Sequence, residues 1–249
     1  MARKALLLLL AGALLGFPVS AQDMTLDEVL AKHYEALGGV DNLKAVQSAI
    51  FKGNMTMGEG MEAPFTMIFL RPMMARLEFT MQGMTGVQAY DGEVAWMVMP
   101  FLGKNDPEEM ADDQAKNMKE QADLDGPLVD WQEKGHQVEL VGLEETEGTE
   151  AYKLKVTLAN GDVRYHFLDS EYFITIKQEG KTEVQGSEVE FETILSDYKE
   201  VDGLMFAHSI ESKPKGAPSG QVITIDTIEL NPDVSADLFA MPEVVAVEE

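Results

Sequence analysis

The chain contains no cysteine. That excludes disulfides, thiolate metal sites and cysteine nucleophiles, so stability has to come from burial. Chemical motifs are equally scarce. The four histidines, His33, His136, His166 and His208, stand at unrelated spacings, and no HExxH occurs. There is no GxSxG, no GxGxxG and no GxxxxGK(S/T), so neither a nucleophile elbow nor a phosphate cradle is expected. Carboxylates are so abundant that a pair drawn among them carries no information, and a solvated acidic face is the default. These absences argue against an enzyme, and no cofactor and no metal site is expected.

Basic residues are also few. Lys and Arg number 19 against 44 Asp and Glu, a net charge of −25. Such a surface repels phosphate backbones, so no nucleic acid partner is expected. Long apolar runs are missing beyond the first residues. The opening "MARKALLLLLAGALLGFPVSAQ" has a basic start, an apolar run too short to span a bilayer, and small residues at Val19-Ser20-Ala21. It reads as a secretory signal, residues 1–21, cut after Ala21. Residues 22–249 then make one domain, since no repeat or low-complexity linker divides them.

What the chain does have is periodicity. "TLDEVLAKHYEALGG" (25–39) has Thr25 as a cap, Glu28 three residues later, an apolar stripe at helical spacing, and Gly38-Gly39 as a stop. "DNLKAVQS" adds a short second helix. From Ala49 the period falls to two. Phe51, Met55 and Met57 share a parity; so do Phe65, Met67 and Phe69; so do Ala75, Leu77, Phe79 and Met81. Asp91-Gly92 is a two-residue hairpin signal. "NDPEEMADDQAKNMKEQADLDGP" (105–127) reads as a helix, with Met110, Ala111, Ala115, Met118 and Ala122 on one side. Six further strand-like segments follow up to Leu230.

The expected fold class is therefore mainly β with some α. About ten or eleven antiparallel strands form a strongly curved sheet, an open or incomplete β-barrel, with helices covering the concave face. Such a shape makes a cavity.

Methionine is the one residue in conspicuous excess. Twelve of the 16 lie between Met55 and Met118. Three uses compete: filling an irregular core, binding Cu(I) through thioethers, and lining an adaptable apolar site for acyl chains. On the third, the lining is Met55, Met57, Phe65, Met67, Phe69, Leu77, Phe79, Met81 and Trp96, and Met110 and Met118 belong to a lid.

"FLRPMMARLEFT" followed by "AYDGEVAWMVMPF" resembles the LolA/LolB-like family of periplasmic lipoprotein carriers, with Arg71-Pro72, Asp91-Gly92, Trp96, Pro100 and Phe101 in the matching places. The ending "VSADLFAMP" (234–242) is similar to that family's ending. The N-terminal "LAKHYEALGGVDNLKAV" looks more like a broad subgroup of outer-membrane lipoprotein-sorting proteins. The resemblance implies a periplasmic location and an open barrel closed by helices over a cavity for the acyl chains of lipoproteins or lipids. It gives Arg71 the role of holding the lid over the empty cavity. It also implies a lipoprotein-transport partner at the outer or inner membrane. A lipid-sensing regulatory or adaptor protein on the same scaffold is the alternative, with a methionine-rich Cu(I) binder behind it.

Overall fold

The computed structural model describes residues 24–57, 60–184 and 187–243. The expected signal segment lies outside the described residues.

Helix α1 (Leu26–Ala36) begins with the capping box: the Thr25 hydroxyl accepts from the Glu28 amide, and the Glu28 carboxylate accepts from the Thr25 amide. Gly38 and Gly39 turn the chain with positive φ into the short α2 (Val40–Ala45). The turn is tight for a second reason. A Cβ at Gly38 would meet the Gly203 carbonyl oxygen at 2.0 Å, because the Leu37 carbonyl accepts the Met205 amide beside it. Gly38→Ala is therefore expected to cost about 2 kcal/mol or more in chemical denaturation.

The strands then run as two meanders. The first holds β1 (Ser48–Met57), β2 (Met61–Leu70), β3 (Met74–Met81), β4 (Met84–Tyr90), β5 (Ala95–Met99) and β6 (Lys104–Glu109). Helix α3 (Asp112–Gln121) and a turn-rich segment cross to the second. That one holds β7 (Gln137–Thr146), β8 (Thr149–Thr157), β9 (Val163–Asp169), β10 (Thr175–Val184), β11 (Ser187–Val201), β12 (Leu204–Pro214) and β13 (Gln221–Leu230). All 13 make one antiparallel sheet, ordered β6-β5-β4-β3-β2-β1-β13-β12-β11-β10-β9-β8-β7. It is an open, incomplete barrel whose edges are β6 and β7, and α3 links them.

Three expectations need correcting. The sheet has 13 strands among the described residues, not ten or eleven. The stretch expected as one helix over 105–127 divides: residues up to Glu109 pair with β5, and the helix starts only at Asp112. Pro107, at home on an edge strand, and the acidic residues around it imitate a helix start, but the exposed hydrogen-bonding edge of β5 captures them. Met110 is consequently held in extended backbone, its amide donating to the Ala95 carbonyl. The hairpin between β4 and β5 is shifted by one residue. Its central pair is Gly92-Glu93, and the Asp91 carboxylate accepts from the amides of Glu93 and Val94.

The inner face carries three apolar clusters. Val29 and Leu30 of α1 pack on Val138, Leu154, Val156 and Leu168 of β7–β9. Leu43 of α2 meets Ala49 and Leu204. The largest lies under α3, at the β1–β5 end.

Candidate functional site

Pairing fixes which side chains share that largest cluster. Phe65 stands opposite Phe79, Met67 opposite Leu77 and Phe69 opposite Ala75. Across the other edge of β2, Met67 faces Phe51 and Ala63 faces Met55. One parity therefore brings Met55, Phe65, Met67 and Phe79 together as buried residues, with Phe69, Leu77 and Met81 half-buried against them. Met97 and Met99 come from β5, Met110 from the end of β6, and Met118 and Ala122 from α3 and its exit. The Phe79 and Phe101 rings lie 5.5 Å apart, as do those of Phe51 and Phe69. Gly86 leaves room for this packing, since a Cβ there would strike Phe101 at 2.8 Å. The Met57 side chain lies outside the described residues.

Trp96 is not part of this lining. It stands opposite Ala89, which stands opposite Arg76, and all three belong to the outer parity. There Trp96 is buried, its indole N–H donates to the Phe239 carbonyl at 2.8 Å, and Arg76 lies over its ring. The expected lining residue instead anchors the C-terminal segment to the back of the sheet.

The methionine and phenylalanine side chains of this cluster are buried against one another. A cavity of about 200 Å³ opens between Met61, Glu62, Ala63, Met81 and Gln82, where the cluster reaches the end of the β2–β3 hairpin. Pockets for drug-sized ligands run to about 300–1,000 Å³. A long acyl chain exceeds this cavity and enters it only if methionines change rotamer or α3 moves. Methionine side chains re-pack readily, and α3 offers the cluster only a narrow apolar side.

The polar side of α3 points to the far half of the sheet. Glu120 accepts from Arg164 at 3.2 Å, Lys116 pairs with Asp162 at 2.5 Å, and the Thr182 hydroxyl donates to Asn117 at 3.4 Å. The exit of the helix is fastened more firmly. Arg71, at the end of β2, donates two parallel hydrogen bonds to Asp125, at 2.7 and 2.5 Å. It also donates to the carbonyls of Val46 and Leu43 at 2.6 and 3.1 Å, which cap the C-terminal end of α2. The Asp125 side chain is only 8 % exposed, so this fork is largely withdrawn from solvent. Next to it Lys134 donates to Asp123 and to the Gly126 carbonyl. Burial pushes the Asp123 carboxyl up, and Lys134 pulls it back.

Among the described residues no group of three or more His, Asp or Glu is placed to hold a metal ion. His33, on the inward side of α1, and His166, on β9, are both buried. The His33 Nδ1–H donates to the Phe173 carbonyl at 2.7 Å, and burial lowers its pKa. Burial pushes His166 down to about 3, with His33 and Arg164 adding to the effect. Below the ordinary histidine value of 6.5 the unfolded chain takes up protons that the folded chain refuses. Stability is then complete above that pH and falls as pH drops towards 3. Thermal melts are expected to shift down between about pH 7 and about pH 5, with a slope of up to about 1.4 kcal/mol per unit for each histidine. His166→Gln should flatten the slope.

Sequence pattern alone could not have found Asp125 or Arg164, which are single charges among many. No helix among the described residues is long and apolar enough to cross a membrane.

Neither a family model nor a curated protein matches the chain by sequence. Solved structures do match by shape. A domain of an outer membrane lipoprotein-sorting protein from Vibrio parahaemolyticus superposes with a TM-score of 0.58 at 13% identity, over 84% of this chain and 97% of that one. A LolA superfamily protein from Nitrosomonas europaea gives 0.58 at 14% identity, over 87% and 98%. A DUF1329 family protein from Desulfovibrio piger gives 0.53 at 12% identity, over 85% and 97%. The open sheet, with helices across its inner face, is the fold that this chain shares with these three structures, the LolA superfamily protein among them.

Proposed function

We propose that the protein is a periplasmic carrier that holds the acyl chains of lipoproteins or lipids for transfer towards the outer membrane. One observation carries this reading: an inward cluster of methionine and phenylalanine is closed by a helix that touches it with few residues and is fastened at its exit by the Arg71–Asp125 and Lys134–Asp123 ion pairs. Each buried CH₂ of a cargo chain contributes about 0.8 kcal/mol, so such an interior can compete with a bilayer leaflet. The energy of release comes from the acceptor rather than from any bond chemistry, which fits the lack of a catalytic constellation.

Two other readings are kept. The exposed Val141 and Leu143 on edge strand β7 favour a lipid-sensing adaptor that docks a protein through that edge. Transfer of lipid between donor and acceptor vesicles separates carrier from sensor. The Cu(I) reading has less in its favour, because the buried methionines are interleaved with phenylalanine and alanine.

The test of the carrier reading is mass spectrometry of organic extracts from protein purified without detergent. Acyl lipids near one per protein are expected. An empty protein that also fails to take up a fluorescent fatty acid would sink the proposal.

A further inference from the structure

The inner face is not apolar throughout. Beside the methionine cluster a polar row crosses five consecutive strands: His166 opposes Gln178, Gln178 opposes Thr193, Thr193 opposes Ser212, and Ser212 opposes Gln221. His166 also opposes Leu154 of the buried apolar cluster beneath α1, which places the row on the inner face. Inward positions of a barrel wall are ordinarily apolar, and each polar group placed there needs a partner. The Thr193 and Ser212 hydroxyls satisfy one another at 2.8 Å, and the Gln221 amide reaches the sulfur of Met55, where the row joins the methionine cluster.

Two residues before His166 on β9 the same face presents Arg164, its side chain 11 % exposed. Its place is built. Gly180 opposite has no side chain, and a Cβ there would strike the Arg164 Cδ at 2.6 Å. The Phe191 ring lies under the guanidinium at 5.3 Å. The guanidinium donates to the Lys181 carbonyl at 2.7 Å, to the Val163 carbonyl at 3.5 Å and to Glu120 at 3.2 Å, and Asp162 lies 3.6 Å away. Glu120 belongs to α3, the element that must shift to admit a chain. The other close oxygens belong to the strands or to the loop before β9. Moving the helix therefore removes the carboxylate that α3 supplies to a guanidinium already fixed in position.

We infer that the cargo is an amphiphile with an oxyanionic head, a carboxylate or a phosphate. Arg164 binds that head when α3 withdraws Glu120, and the tail runs along the polar row's margin into the methionine cluster. This rests on the acyl-chain reading and adds to it the class of head group. It also explains how a chain of net charge −25 accepts an anion. The general field opposes binding, and one oriented guanidinium in a shielded site overcomes it.

Laurate, lauryl phosphate and lauryl alcohol share a tail and differ in the head, so calorimetric titration of the full chain with each tests the inference. Laurate or lauryl phosphate, or both, should bind at least about tenfold tighter than the alcohol. The order of the two anions tells carboxylate from phosphate. Arg164→Gln should bring the anions down to the level of the alcohol and leave the alcohol unchanged. Glu120→Gln, on the half-exposed helix, should tighten the anions several-fold, and it serves as the second variant if Arg164→Gln does not fold. Equal binding of all three heads to the native chain would overturn the head-group assignment and leave the carrier reading standing. Failure of all three to bind would overturn both.

Discussion

Arg71→Met is expected to destabilise the protein by about 3–5 kcal/mol, the usual cost of leaving a buried charge without its partner. The stranded group is Asp125, 8 % exposed and otherwise held by the bidentate fork. For a domain of this size that corresponds to a fall of about 10 °C in Tm. The double variant Arg71→Met with Asp125→Leu should recover much of the loss, because no charge then remains unpaired. Arg71→Lys should not recover it fully. An ammonium cannot form the two-pronged contact while also reaching the carbonyls of Leu43 and Val46. If the lid reading is right, Arg71→Met should also speed exchange of a bound fluorescent fatty acid. A protein as stable as the native one, with unchanged exchange, would show that Arg71 fastens nothing.

The second large effect is expected at α3 and at the end of β6 that leads into it. Met118 is 3 % exposed and Met110 is 8 % exposed within the methionine cluster. Burial of the two contributes roughly 3–6 kcal/mol before ordering costs, which offset much of it. Met118→Asp together with Met110→Asp removes that contribution and makes the docked state bury two carboxylates. Helix α3 should then detach, losing hydrogen-exchange protection over residues 112–121, while the β7–β13 meander keeps its own. Chain exchange should quicken for the same reason. Global unfolding of the double variant would show instead that α3 is a core element, and the gate would lose its moving part.

How much of this was written in local sequence depends on the residue. The capping box of Thr25 and Glu28 is a four-residue signal, and α1 begins where it says. The parity of Leu77, Phe79 and Met81 reads directly because polar residues occupy the other parity. Strand β5 is the contrast. Ala95, Trp96, Met97, Val98 and Met99 are apolar on both parities, because the C-terminal segment covers the outer face there. Alternation cannot then say which way Trp96 points, and the residue that decides it, Phe239, lies 143 positions away. Strand β6 was hidden for a related reason. Its residues have helix-start chemistry, and only the unpaired edge of β5 makes them extended. The partner of Arg71 was equally hidden, since Asp125 is one of 44 acidic residues and nothing local marks it. The burial of the methionine cluster had no signature at all, because methionine that packs a core and methionine that waits for a ligand have the same spacing.

The strand order has a consequence for how the chain acquires its shape. Nearly every neighbouring pair in the sheet is a hairpin, formed between residues close in the chain. The exception is the central seam, where β1 meets β13 and Ala49 faces Leu230. Closing that contact requires ordering a loop far longer than any hairpin, and the entropy of doing so is met before the seam returns any hydrogen bond. The two meanders should therefore become structured first and independently, and the seam should zip last. Mutations at Phe51 or Ile228, which face each other across it, would then act on the unfolding rate and leave the folding rate nearly untouched. The middle of the sheet, where the two meanders meet, is in this sense the youngest part of the finished molecule.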